Sequence, residues 1–251
     1  MIRLEAVTQR YGRFLALDGL TLAVAAGESL ALLGPNGAGK TTAIRVLTGQ
    51  LRPTGGRAWV AGRDVWREPI AAKRSFGYVP DRPYLYGKLT AVELLRFVAG
   101  LYRIPKPEAE RRIEEELARF RLTRYASALI ETYSHGMRQK LTFAAALLPR
   151  PPVLIVDEPM VGLDPVAART VRGLLKDYPR PGRAVLFSTH QLELAETAAD
   201  RVALLHRGRL VLVGSPEEVR RAHRLRSLEE VFLRLTEDAA DAQAQVPDSL
   251  A

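Results

Sequence analysis

Residues 34–41 combine glycines, a lysine and a hydroxyl group in an order that can cradle phosphate groups. They read Gly34-Pro35-Asn36-Gly37-Ala38-Gly39-Lys40-Thr41 and match the pattern Gly-x-x-x-x-Gly-Lys-Ser/Thr. The glycines let backbone N–H groups converge on phosphate oxygens, and a helix that begins there adds partial positive charge. The Lys40 ammonium can reach the β- and γ-phosphates, and the Thr41 hydroxyl can bind Mg²⁺. The segment, with Thr42 beside it, therefore predicts a nucleoside triphosphate site.

Two adjacent carboxylates follow a second informative segment, the apolar run at residues 153–156. At the end of a buried strand, Asp157 is placed to hold Mg²⁺ directly or through water, and Glu158 to polarise an attacking water. Seen alone, the pair is also typical of a solvated acidic turn, but the phosphate-binding pattern favours catalysis. The two motifs predict a P-loop nucleotide hydrolase, a class that includes GTPases, kinases and helicases.

From about residue 2 to residue 236 the chain resembles the ABC ATPase family. Tyr133-Ser134-His135-Gly136-Met137-Arg138-Gln139-Lys140 stands where the family has its signature, usually Leu-Ser-Gly-Gly-Gln. It matches that signature at Ser134 and Gly136 and departs from it at the other three positions. The resemblance implies that this signature loop caps the ATP held by a second subunit, and Ser134 is also a plausible helix N-cap. His135 has no assigned role, and we expect it to be tolerated beside the nucleotide.

Three further segments follow the family order, and one position departs from it. Gly162-Leu163-Asp164-Pro165 resembles the D-loop, which crosses the dimer interface, and Ser188-Thr189-His190 resembles the switch-histidine motif. Tyr11 resembles the aromatic residue that stacks on adenine. At Asp81 the family usually has Gln, although a carboxylate can still approach Mg²⁺ or its water. The resemblance implies catalytic roles for Glu158, His190 and Lys40. It implies metal contacts from Thr41, Asp157 and Asp81. The implied ATP contacts are Tyr11, Gly34, Pro35, Asn36, Gly37, Ala38, Gly39, Lys40, Thr41, Thr42, Ser134, Gly136 and Asp164.

Short apolar strands that alternate with helices surround these motifs, so we expect an α/β fold with a mainly parallel sheet. The pattern changes to helix between residues 81 and 149, where Thr90 and Glu93 have the form of a capping box. Strands 20–24 and 29–33 are predicted to form a hairpin at Gly27-Glu28, and a second hairpin is predicted at His206–Arg209. A last helix is predicted at Leu228–Leu235.

The resemblance implies a P-loop NTPase (RecA-like) core with an N-terminal antiparallel β subdomain and an inserted α-helical subdomain. The expected ATPase domain spans residues 1–235. Its nucleotide-binding core comprises residues 1–80 and 150–235, and its helical signature subdomain comprises residues 81–149. Residues 236–251 read as a polar tail, which we expect to be disordered.

Composition narrows the class of protein further. Hydrophobic residues make up 47% and charged residues 26% of the 251 residues, which is typical of a soluble globular enzyme. The chain has no cysteine, which excludes disulfides, thiolate zinc sites and a cysteine nucleophile. No apolar run approaches the roughly 18 residues needed to cross a bilayer, and the first residues read as a strand and not as a secretory signal. A cytosolic location is favoured.

The resemblance implies that the chain is the ATP-binding and ATP-hydrolysing subunit of an ABC transporter, with ATP and Mg²⁺ as cofactors. It would pair with a second ATPase subunit, identical or different, and power export by a separate transmembrane permease, as a peripheral protein at the cytoplasmic face of the membrane. Residues 85–90 and 228–233 resemble the branch that exports drugs, antibiotics, lipids or polysaccharides.

Two alternatives differ in class. An ABC-type ATPase that acts on nucleic acid is favoured only by the net charge of +9, which also fits arginines spread over solvated faces. A regulatory P-loop GTPase would need an Asn-Lys-x-Asp guanine motif, and the chain lacks it. No nucleic-acid partner is therefore expected.

Overall fold

The computed structural model describes residues 1–223, 227–232 and 234, and their secondary structure alternates strands and helices. The strands are β1 (Ile2–Tyr11), β2 (Phe14–Val24), β3 (Ser29–Leu33), β4 (Gly55–Val60), β5 (Arg63–Asp64), β6 (Phe76–Val79), β7 (Val153–Asp157), β8 (Ala184–Thr189), β9 (Arg201–His206) and β10 (Arg209–Gly214). The α-helices are α1 (Lys40–Leu47), α2 (Pro69–Arg74), α3 (Ala91–Leu101), α4 (Lys106–Arg119), α5 (His135–Leu147), α6 (Pro165–Asp177), α7 (Leu192–Ala198) and α8 (Pro216–His223). Helices α2 and α8 were not predicted.

The strands form two sheets. Four of them make an antiparallel sheet in the order β2-β1-β4-β5, and six make a second sheet in the order β10-β9-β3-β8-β7-β6. The six-stranded sheet is parallel except for β10, which is antiparallel to β9. The predicted α/β fold, with a mainly parallel sheet and an N-terminal antiparallel sheet, is confirmed.

The six-stranded sheet separates two apolar clusters. Alternate residues of a strand point to opposite faces, and β3 accordingly sends Leu30 and Leu32 to one cluster and Ala31 and Leu33 to the other. The first cluster contains α1 and the inner face of the antiparallel sheet. The second contains the apolar faces of α3, α4 and α5. The helical segment between β6 and β7 is therefore packed onto one face of the central sheet.

The predicted hairpin at Gly27-Glu28 is wrong. Strand β2 pairs with β1, whereas β3 runs parallel between β8 and β9. The burial patterns explain the difference, because most of β2 alternates between buried and exposed positions while every residue of β3 is buried. A strand buried on both faces belongs in the middle of a covered sheet. Gly27-Glu28 therefore carries the chain from one sheet to the other, and the second predicted hairpin, at His206–Arg209, is confirmed.

Side-chain hydrogen bonds cap the N-termini of α3 and α5. Thr90 and Glu93 form the predicted capping box at the beginning of α3. Ser134 caps α5, and its side chain accepts a hydrogen bond from the backbone of Met137 at 3.2 Å. These caps satisfy N–H groups that a helix cannot pair internally.

Two further findings concern the C-terminal region and membranes. Residues 228–232 and 234 are helical, as predicted, while residues 233 and 235 of the predicted helix and the tail 236–251 lie outside the described residues. Within the described part of the chain, no helix combines the length and the apolar character needed to cross a membrane.

Candidate active site

The phosphate loop connects the end of β3 to the beginning of α1, which is where parallel sheets place their ligands. Gly39 precedes the helix with φ of 106°, a conformation that side chains disfavour. A Cβ on Gly34 would overlap the carbonyl oxygen of Leu205, and one on Gly39 would lie 2.6 Å from that of Ala16. The glycines at both ends of the loop are thus required by close backbone packing.

Lys40 lies at the centre of the site and is 6% exposed. Its Nζ donates hydrogen bonds to the carbonyl oxygens of Gly34 at 2.6 Å and Pro35 at 3.2 Å. The same ammonium is 3.9 Å from Oε1 of Glu158. Burial lowers the pKa of Lys40, and the negative charges of Glu158 and Asp157 raise it in the opposite direction. Lys40 therefore joins the phosphate loop to the carboxylate pair.

Asp157 ends β7 and is 1% exposed. Its Oδ1 accepts a 2.5 Å hydrogen bond from the hydroxyl of Ser188, the residue beside it on β8. Its Oδ2 has no hydrogen-bond partner. Burial raises the pKa of Asp157, while the hydrogen bond from Ser188 and the nearby Thr41 hydroxyl lower it. A buried carboxylate oxygen without a partner is suited to a cation or to cation-bound water.

Glu158 follows Asp157 in a strained conformation, with φ of 49°. Its backbone N–H donates to the hydroxyl of Ser188 at 3.0 Å, so one serine holds both acidic residues. Its Oε2 is 2.9 Å from Nδ1 of His190. His190 follows β8, and its side chain is 56% exposed. The strain fits a functional position, because such conformations persist where the surrounding structure enforces them.

Lys40 and Glu158 border a cleft of about 300 Å³. The cleft is lined by Tyr11, Phe14, Ala16, residues 35–42, Asp81 and Glu158. The two aromatic side chains stand at the turn between β1 and β2 and are 44% and 62% exposed. Exposed aromatic rings at the mouth of a phosphate site can take a nucleotide base. The cleft thus offers an aromatic surface for a base at one end and a cradle for phosphates at the other.

The metal contacts predicted from the sequence gather around Asp157. The Thr41 hydroxyl lowers the pKa of Asp157, and the negative charge of Asp81 raises it. The free Oδ2 of Asp157 fits Mg²⁺, which takes oxygen ligands. Among the described residues, no group of three or more His, Cys, Asp or Glu side chains could hold a metal without further ligands. That donor set suits an ion whose other ligands are phosphate oxygens and waters.

Three predicted nucleotide contacts lie elsewhere. Ser134, Gly136 and Asp164 are all described, and none of them lines the cleft that holds the phosphate loop. Asp164 caps α6 by accepting a hydrogen bond from the backbone of Ala167 at 2.9 Å. It also pairs with Lys140 at 2.6 Å. The structure therefore separates these three residues from the phosphate cleft of their own chain.

Sequence reasoning missed two residues of the site. No role was predicted for Ser188, although a buried polar residue in the apolar strand β8 is a usable signal. Phe14 was also missed, and the signal was an aromatic residue three positions after Tyr11. Strand pairing brings both residues to the site, Ser188 opposite Asp157 and Phe14 opposite Tyr11.

The chain is similar in sequence to ATP-binding proteins of transporters. The sequence pattern described as ABC transporter matches residues 17–161. Linearmycin resistance ATP-binding protein LnrL of Bacillus subtilis (strain 168) is 34% identical over 219 residues, which cover 87% of this chain and 70% of LnrL. Daunorubicin resistance ATP-binding protein DrrA3 of Streptomyces coeruleorubidus is 38% identical over 219 residues, which cover 87% of this chain and 69% of DrrA3. ATP-binding cassette sub-family A member 2 of Homo sapiens is 38% identical over 225 residues, which cover 88% of this chain but only 9% of that longer protein.

Solved structures share the fold. One described as the structure of the ATP binding subunit of an ABC transporter has a TM-score of 0.89 and 36% identity, and the match covers 94% of this chain and 99% of that one. A dimeric post-hydrolysis state of the ATP-binding cassette MJ0796, bound to ADP and Pi, has a TM-score of 0.78 and 26% identity, and the match covers 86% of this chain and 98% of that one. These likenesses confirm the expected fold class and family, and none of the relatives named here supports the nucleic-acid alternative.

Proposed function

The chain belongs to the ABC transporter family as an ATP-binding cassette ATPase, and we propose that it hydrolyses ATP to power export through separate transmembrane subunits. One observation carries this proposal. Oε2 of Glu158 lies 2.9 Å from Nδ1 of His190, and its Oε1 lies 3.9 Å from Nζ of Lys40. These three side chains would surround the γ-phosphate of an ATP bound to the loop. A carboxylate so placed can accept a proton from an attacking water, while the lysine and the loop amides stabilise negative charge.

Mg²⁺ would be held by Thr41 and by the free Oδ2 of Asp157, with Asp81 near enough to act through water. The ion would supply positive charge to the phosphate oxygens. The residues of this chain do the remaining work. Ser188 orients Asp157, His190 holds Glu158, and the loop fixes the phosphates. Tyr11 and Phe14 offer an aromatic surface to the adenine.

We propose that a complete site needs two chains. Ser134 and Gly136 stand outside the cleft of their own chain, at the N-terminus of α5, where backbone N–H groups attract anions. MJ0796 cassettes of the same fold form dimers, which supports such an arrangement. Two copies of this chain, or this chain and a second cassette, would each lend a signature loop to the ATP of the other.

The membrane partner and the direction of transport are also proposals. As in an ABC transporter, whose sequence pattern this chain matches, motion driven by ATP would act on transmembrane permease subunits from the cytoplasmic face. LnrL and DrrA3 are linearmycin and daunorubicin resistance proteins, which favours export of a drug-like compound.

Replacing Glu158 by Gln tests the chemistry. The variant keeps the size of the side chain but loses its basicity, so we expect unchanged ATP binding and a turnover lower by roughly 10²-fold or more. ATP-bound dimers should accumulate and be visible by size-exclusion chromatography. Glu193→Gln, on the exposed side of α7, is the matched control and should turn over normally. Near-normal turnover of Glu158→Gln would remove Glu158 from the mechanism.

A mixing experiment tests the two-chain site. Lys40→Ala disables the phosphate loop of one chain, and Ser134→Arg blocks the signature loop of another. Each variant alone should be inactive, whereas an equal mixture should recover activity through one intact composite site. Specific activity of the wild type should rise with protein concentration. Activity that is independent of concentration, with no recovery on mixing, would indicate a monomeric enzyme.

A further inference from the structure

His135, where the family usually has glycine, packs against the D-loop of its own chain. A Cβ added to Gly162 would overlap Cδ2 of the His135 ring and lie 2.5 Å from its Nε2. Gly162 has φ of 75°, a conformation that favours glycine, and its Cα carries no side chain where the ring lies. The ring edge thus occupies the space that any side chain at Gly162 would need.

Two more contacts fasten the first two turns of α5 to the D-loop. A Cβ on Gly136 would lie 2.7 Å from the carbonyl oxygen of Gly162, so the two backbones are in contact. One turn further along α5, Lys140 pairs with Asp164 at 2.6 Å, and its side chain is only 16% exposed. His135, Gly136 and Lys140 therefore hold the D-loop over residues 162–164.

The D-loop is in turn connected to the catalytic base by a tight turn. The backbone N–H of Val161 donates to the carbonyl oxygen of Glu158 at 3.3 Å, and that of Leu163 donates to Met160 at 3.3 Å. Because Glu158 has φ of 49°, its backbone needs outside support to keep that conformation. A displacement of Gly162 would be transmitted to Glu158 over four residues.

We infer that His135 is a positioning residue that holds the D-loop and, through it, the catalytic base of its own chain. The ring acts by its shape, because it contacts Gly162 along a ring edge and makes no hydrogen bond with the described residues. The inference rests on the proposed two-chain function. The signature loop, which would contact the ATP bound to the partner chain, would then also position Glu158 of its own chain. This would couple the two ATP sites.

Replacing His135 by Gly or by Phe separates shape from chemistry. His135→Gly should lower kcat at least fivefold while ATP affinity of the isolated chain stays within twofold, because the phosphate loop is untouched. His135→Phe keeps a planar ring and should stay within twofold of the wild-type kcat. An unchanged kcat in His135→Gly, or an equal loss in His135→Phe, would overturn the inference.

A double-mutant cycle tests the contact itself. Gly162→Ala breaks the same contact from the D-loop side, so its loss of kcat should not multiply with that of His135→Gly. Gly182→Ala is the matched control, since Gly182 has φ of 83° and nothing within 4 Å of an added Cβ. Its effect should multiply with that of His135→Gly. Multiplying losses in the Gly162 pair would show that the ring does not act through the D-loop.

Hydrogen exchange gives a readout that does not depend on ATP turnover. Amide exchange over residues 160–164 of the isolated chain should be at least fivefold faster in His135→Gly than in the wild type, and nearly unchanged in His135→Phe. Equal exchange in all three proteins would overturn the inference. Failure of the proposed function looks different, because the wild type itself would then lack ATP turnover while the exchange result still decides the role of His135.

Discussion

Removing the hydroxyl of Ser188 should weaken both the fold and the metal site. This hydroxyl donates to Oδ1 of Asp157 at 2.5 Å and accepts from the backbone N–H of Glu158 at 3.0 Å. Ser188 is fully buried, so water cannot easily replace either bond. Ser188→Ala would leave a buried carboxylate oxygen and a partly buried N–H without their present partner.

The size of the effect follows from those two bonds. A hydrogen bond to a charged group contributes about 1.5–3 kcal/mol, and an unsatisfied buried N–H costs about 1–3 kcal/mol. The lost hydroxyl no longer has to be desolvated, which offsets part of this sum. We therefore expect the free energy of unfolding to fall by about 2–4 kcal/mol. For a chain of this size the melting temperature should fall by about 5–10 °C.

The metal site should respond as well. The bond from Ser188 lowers the pKa of Asp157 against the effect of burial, so its loss raises that pKa further. More of the carboxyl is then protonated at a given pH, and the acidic limb of the activity profile moves to higher pH. Half-maximal ATPase activity should need roughly tenfold more Mg²⁺, about 1.4 kcal/mol of lost affinity.

Thermal unfolding and Mg²⁺ titration of ATPase activity measure these effects. Ser75→Ala is the matched control, because the hydroxyl of Ser75 makes only a local bond, to the carbonyl oxygen of Ala71. It should lower the melting temperature by less than about 2 °C. If Ser188→Ala melts like the control and needs no additional Mg²⁺, the hydroxyl does not organise the acidic pair and the reasoning is wrong.

Two further predictions follow from charges near the site and in α4. Asp81→Ala should leave ATP affinity within about threefold, under roughly 1 kcal/mol, and should weaken ATPase stimulation by the membrane partner. Because the charge of Asp81 raises the pKa of Asp157, the acidic limb of the activity profile should move to lower pH. Loss of nucleotide binding in a titration would contradict this prediction. Burial raises the pKa of Glu116 to about 7, so the folded chain retains a proton that the unfolded chain loses near pH 4.5, and stability should fall as pH rises between these values by up to about 3 kcal/mol. Urea unfolding at pH 5 and pH 8 should show this loss in the wild type and in Glu115→Gln but not in Glu116→Gln, and equal losses in all three would refute it.

The sequence was most informative where a few neighbouring residues make their own structure. The loop from Gly34 to Thr41, the capping box of Thr90 with Glu93 and the N-cap at Ser134 were all predicted, and the helices begin there. Each depends on hydrogen bonds or backbone angles within about four residues, which a short pattern specifies. The strand–loop–helix context of the phosphate loop and the family follow from the same local information.

Strand partners were not available from such patterns. Both strands at Gly27-Glu28 looked like members of one hairpin, because apolar runs next to a turn favour local pairing. In the structure β3 instead lies between β8 and β9. The apolar period of a strand shows which face is buried but does not identify the neighbouring strand, particularly in a parallel sheet whose pairs are joined by long crossovers.

By itself the sequence determined the chemistry available to this protein: a phosphate loop, an acidic pair at the end of an apolar strand, a histidine after another, and a signature-like helix start. Only the tertiary structure decided which groups meet. It hydrogen-bonds Ser188 to both Asp157 and Glu158, brings His190 within hydrogen-bond distance of Glu158, and packs the His135 ring against Gly162. These contacts join residues 27 to 32 positions apart (162 − 135, 190 − 158). Their geometry comes from strand register and from helix packing on a shared sheet, which depend on the whole core and not on any one segment.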